Sequence, residues 1–153
     1  MDEQKLDFIK NKFVPLLRNL EPDAKGKWGV MNGQQMVEHF GDTVKNAAGK
    51  LVLPAVNEGE RLAKFREFMM SETPFKENTK NPLLGPDPLP IRQPNMQAAI
   101  DRLQKYLNYF FTAFEENPGL TTHNPIFGEL DYTANVQLLH KHAMHHLRQF
   151  NLV

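Results

Sequence analysis

The chain has 153 residues, 18 Lys and Arg against 18 Asp and Glu, and no Cys. That length builds a single domain over residues 1–153 with a real core, and zero net charge offers no basic footprint for a phosphate backbone. Without cysteine there is no disulfide, no thiolate metal site and no cysteine nucleophile.

The N-terminal MDEQKLDF is acidic and amphipathic rather than basic followed by an apolar run. No stretch reaches the ~20 apolar residues of a membrane span. The expectation is a cytoplasmic protein without a signal peptide, a membrane anchor or a nucleic-acid partner; the lack of Cys fits a reducing compartment.

Four amphipathic segments follow in order. Leu6, Ile9, Phe13, Leu16 and Leu20 recur at helical spacing and predict a first helix from about Gln4 to Leu20, kinked or divided by Pro15. Glu21 to Gly29 reads as a short polar turn, with Trp28 anchoring the entry to the next element. Asn32, with Gln35 three residues on, is a partial capping box that opens a second helix through Met36, Phe40, Val44 and Ala47. Arg61 to Met70 is a candidate minor helix, with Met69 and Met70 as gap-fillers or exposed linker.

Ser71 to Pro94 holds six of the eleven prolines and predicts a long crossover that is neither helix nor strand. A third helix starts near Asn95 and carries Met96, Ile100, Leu103, Leu107, Phe110, Phe111 and Phe114 to a stop at Asn117-Pro118-Gly119. Its aromatic run, including Tyr106 and Tyr109, reads as core. Gly119 to Leu130 is expected as loop, with no strand pairs anywhere. The fourth helix spans about Asp131 to Phe150 on Val136, Leu139, Ala143, Leu147 and Phe150. The predicted fold class is all-α, a four-helix bundle with a long crossover between helices 2 and 3.

A helical wheel locates the candidate chemistry. On the fourth helix the apolar stripe centres about 100° from His142, and His146 lies about 40° from it on the border of that stripe. Asn135 and Gln149 share the same polar band. On the second helix His39 takes the matching border position, with Thr43 and Asn46 beside it. Two packed helices would bring His39, His142 and His146 together as an open three-histidine divalent metal site. H-x3-H pairs also occur without metal, and the alternative is a set of packed or half-exposed rings.

His145 ranks below His146 because it lies on the far side of His142 from the stripe. His145 is a candidate to flank the metal or orient another ligand, the alternative being a solvated ring, and His123, on the last loop, is a candidate for substrate contact or acid–base work. Gln149 and Asn135 are candidates to bind a ligand or orient a histidine, the alternative for each being a solvated helix surface. His140 reads as surface, and Glu38 and Asp42 as solvated, with Asp42 a lesser candidate behind His39.

WGVMNGQQMVEHF around His39, HNPIFGEL before the last helix and HKHAMHHLRQF at the end resemble the DinB/YfiT-like superfamily of metal-dependent enzymes. The resemblance runs over nearly the whole chain as a pattern of four helices. It implies a metal triad of one histidine from the second helix and an H-x3-H pair from the last, which here are His39, His142 and His146. It also implies small-molecule chemistry, with thiol-dependent transferases among the relatives, and a homodimer. The proline-rich crossover departs from the family pattern.

Three neutral imidazoles suit zinc or nickel first, and iron, cobalt or manganese also. With three protein ligands a position is left for water or for a thiol, which must come from outside the chain. The functional expectation is a metal-dependent hydrolase or thiol-dependent transferase, with His123, His145 and Gln149 as second-tier site residues. The alternative is a non-catalytic helical module that binds metal or a protein.

Overall fold

The computed structural model describes all 153 residues, and it is mostly helical with one small antiparallel hairpin. The N-terminal arm is α1 (Glu3–Asp7), a π-helical turn (Phe8–Lys12) and α2 (Phe13–Leu17). Pro15 divides the predicted helix. It lacks an N–H and its ring crowds the carbonyl one turn back, so the helix widens just before it and the Phe13 N–H reaches Phe8 O. Regular helix ends at Leu17, short of Leu20.

The capping box forms as expected. Asn32 Oδ1 accepts from Gln35 N at 2.8 Å and Gln35 Oε1 accepts from Asn32 N at 2.9 Å, starting α3 (Gly33–Ala47). The minor helix is α4 (Gly59–Met70). Asn95 and Asp131 cap α5 (Met96–Glu116) and α6 (Tyr132–Gln149) by accepting from Ala98 N and Ala134 N.

α3 lies chiefly along α5 and also meets α6, while the N-terminal arm touches α6 on one side and α5 on the other. These elements close around a core built on Phe13, Met36, Phe40, Leu103, Phe110 and Leu139, all at most 1% exposed. The apolar stripes read from the sequence on α3, α5 and α6 face this core. No helix is long and apolar enough to cross a membrane.

Two expectations are corrected. The segment before α6 is not all loop: β1 (Thr122–Asn124) pairs antiparallel with β2 (Gly128–Leu130), a strand pair too short for alternation to reveal. Tyr109 is exposed, off the stripe that Leu103, Leu107 and Phe110 bury, whereas Tyr106 is partly buried and packs against the core. α6 is covered on two faces. Its second face meets α4, the hairpin and the crossover through Met69, Phe127, Leu130, Ala134 and Leu138. Met69 fills that layer while Met70 is exposed.

The crossover contains neither helix nor strand and is tied down at both ends. At its start Gln137 Nε2 donates to Ser71 O and Met69 O, and the buried Lys141 Nζ donates to Phe68 O at 2.6 Å and Thr73 O at 2.7 Å. At its end Gln34 Nε2 reaches Gln93 O, Gln35 Nε2 reaches Leu89 O, and Arg92 N donates to Glu38 Oε1 at 2.8 Å. It therefore runs from α6 to α3 across the edge where those two helices meet.

Candidate metal centre

His39 on α3 and His142 and His146 on α6 converge, with one ring nitrogen from each lying within 4.8 Å of the others. His39 Nε2 is 3.3 Å from His142 Nε2, and His142 Nε2 is 2.7 Å from His146 Nε2. His39 and His142 are half-buried and His146 is buried. The caps set the phase of each helix, and the core stripes set its rotation. Phe40, beside His39, packs in the core against Phe13 with ring centroids 4.7 Å apart and meets the His142 ring at 5.0 Å, so the core braces the site directly.

Burial pushes the His39 imidazolium down to about 4, with the Asp42 charge only partly opposing it. His142 and His146 are held well below the ordinary imidazole range, by burial first and then by neighbouring histidines; at His146 the Gln149 hydrogen bond works the other way. All three rings are neutral at neutral pH, the state in which an imidazole ligates a cation.

The surroundings are aromatic. Phe75 of the crossover meets His142 at 6.2 Å and His145 at 5.8 Å between ring centroids, and Trp28 meets His145 at 5.3 Å. His145 therefore sits between Trp28, Phe75 and His146, and burial, followed by the Arg148 charge, lowers its pKa. Trp28 is half-buried against the site residues rather than seated in the main core. His146 Nδ1 is 2.7 Å from Gln149 Oε1.

Several polar residues hold the frame. Asn135, placed by the wheel in the histidine band, is buried and donates to Thr122 Oγ1, Leu130 O and Asp131 O, fastening the hairpin to α6. Asn46 donates to Leu51 O and His123 O. The expected solvation of Glu38 and Asp42 is wrong. Glu38 is 3% exposed and accepts from Gln34, Arg92 and Gln93; Asp42 binds Arg92 and Arg102 at 2.8 and 2.7 Å. Burial raises the Asp42 carboxyl, but the two guanidinium groups outweigh it and hold it low. Neither acid is readable from the sequence because the arginines that hold them lie some 50–60 residues away.

His123 is held in the hairpin, with Nδ1 2.9 Å from Glu129 Oε1, and no hydrogen bond or ring contact joins it to the triad. His140 is half-buried edge-on to Phe8, not simply surface. Phe75, Gln137 and Lys141 were missed by the sequence reading. The Gln137/Lys141 pair at i,i+4 was the available signal, on a face of α6 that looked solvent-exposed.

No family model, no curated protein and no solved structure matches this chain.

Proposed function

We propose that the chain is a divalent-metal protein with His39, His142 and His146 as the ligands, a four-helix bundle of the DinB/YfiT-like kind. On this reading it acts on a small molecule as a hydrolase or as a transferase that uses an external thiol. One observation carries the metal. An imidazole Nε2 has a single in-plane site, either a proton or a lone pair. His142 Nε2 faces both His39 Nε2 and His146 Nε2, so a hydrogen bond satisfies one neighbour and leaves the other. One cation at the centre satisfies all three.

The spacing fits. Zinc–nitrogen bonds at a tetrahedral angle set ligand nitrogens about 3.3 Å apart. The His39–His142 pair at 3.3 Å matches, the 2.7 Å pair has to open by about 0.6 Å, and the His39 and His146 nitrogens lie within 4.8 Å. A cation held by three histidines keeps a position for an exogenous group and supplies Lewis acidity there, toward water or a thiol. The chain's own part is to hold the three rings neutral. Phe40, Phe75 and the crossover shield them from solvent, with His145 at the rim beside Trp28 and Phe75. With no Cys in the chain, a thiol must enter as a co-substrate.

Cobalt(II) in place of the native ion tests the open position. The visible spectrum of the loaded protein is expected to show a four- or five-coordinate site. Titration with a small thiol such as 2-mercaptoethanol is expected to add a sulfur-to-cobalt charge-transfer band. A cobalt spectrum indifferent to thiol, azide and pH would mean a closed structural site and would sink the enzymatic reading.

A further inference from the structure

Gln149 is 3% exposed and held at both ends of its carboxamide. Its Nε2 donates to the Trp28 carbonyl at 2.9 Å, and its Oε1 lies 2.7 Å from His146 Nδ1. Its own backbone carbonyl accepts from Lys27 N at 2.7 Å. These contacts form a chain of forced choices. A backbone carbonyl only accepts, so Trp28 O must face the amide nitrogen, which turns Oε1 toward His146. An amide oxygen also only accepts, so His146 Nδ1 carries the proton. A neutral imidazole has one N–H, so His146 Nε2 keeps its lone pair, and this is the nitrogen that faces His142 Nε2 at 2.7 Å.

We infer that Gln149 is the positioning residue of the metal centre: anchored on the Trp28 carbonyl, it selects the His146 tautomer that offers a lone pair to the cation. The assignment rests on the metal reading above. Two glycines make the clamp possible. A Cβ at Gly26 would lie 2.8 Å from Gln149 Cγ and 2.8 Å from Trp28 O. Gly29 adopts φ +78°, and a Cβ there would lie 2.9 Å from Gln149 Nε2. The loop before α3 thus closes onto the last turn of α6, so the segment leading to His39 also orients His146. An amide suits this place because it donates at one end and accepts at the other. A carboxylate would satisfy His146 but would oppose the Trp28 carbonyl.

The test combines zinc affinity, from competition with a chromophoric chelator, with the His146 tautomer, from long-range 1H–15N spectra of the zinc-free protein. Wild type should show His146 protonated at Nδ1. Gln149→Leu should weaken zinc binding by about 10–100-fold and admit the Nε2–H tautomer. Gln149→Glu, which keeps the acceptor but loses the donor to Trp28 O, should retain the Nδ1–H tautomer and bind zinc more tightly than Gln149→Leu though less tightly than wild type. A purely structural glutamine would lower the melting temperature in both variants without moving the tautomer. Equal zinc affinity in wild type and Gln149→Leu overturns the assignment and leaves the metal reading standing, as does a Gln149→Glu variant as weak as Gln149→Leu. An Nε2–H tautomer in wild type overturns it without recourse to any variant. Wild type that takes up none of zinc, nickel and manganese overturns both readings.

Discussion

Acidification of the metal-free protein should cost stability between pH 6.5 and 4, and His39 sets the scale. Its folded pKa is about 4 against an ordinary 6.5, because burial disfavours the imidazolium. The unfolded chain therefore takes up the proton first as pH falls, so stability is full above 6.5 and declines through the window. At pH 5 the linkage integral for this one ring is about 2 kcal/mol relative to pH 7.5. Below both values it grows to about 3 kcal/mol. His142 and His146 push in the same direction. Against a total of about 5–15 kcal/mol this is a large loss. The assay is urea unfolding in chelator across this pH range, for wild type and His39→Gln. The variant should lose about 2 kcal/mol less than wild type on going to pH 5. Equal pH sensitivity in the two proteins would refute the half-buried, neutral His39. Saturating zinc, which binds only the folded chain, should raise stability near neutral pH and be displaced as protons compete for the ligands.

Three further outcomes are expected. Glu38→Leu leaves the Arg92 and Gln93 N–H groups without their acceptor and should cost about 2–4 kcal/mol in urea unfolding; a loss under about 1 kcal/mol would mean that the clasp is not formed in solution. Asn135→Ala should cost about 1–3 kcal/mol with zinc stoichiometry unchanged, and loss of zinc would return Asn135 to the site. Lys141→Met strips the acceptors Phe68 O and Thr73 O of their donor. Tryptic cleavage at Lys76 and Lys80 should then quicken on the order of 10-fold, and an unchanged rate would contradict the stapled crossover.

The parts of the fold that were legible in the sequence are those governed by local rules. The Asn32/Gln35 cap, the stripes of α3, α5 and α6 and the break at Pro15 all depend on residues within a turn or two of one another. The triad was legible for the same reason: His39, His142 and His146 border stripes that face one core. What could not be read depends on contacts distant in sequence. A wheel assumes one buried face, and α6 has two, so it groups Asn135 with the histidine band and gives no part to Gln137 and Lys141. Glu38 and Asp42 looked solvated because Arg92 and Arg102 reach them only after the crossover folds back. The clamp on Gln149 needs the close approach of Gly26 and Gly29 from the other end of the chain, which no helical period encodes. Phe75 lies in a proline-rich segment with no period at all, yet it covers the site.

The central claim is a shared metal site built by two helices. Elemental analysis of the purified, untagged protein after reconstitution with zinc, nickel and manganese in turn, beside His39→Ala and His142→Ala, tests it most directly. Near-stoichiometric metal is expected in the wild type, with its loss from both variants while each remains folded. Wild-type protein that takes up none of the three ions, or metal retained in full by both variants, would contradict it.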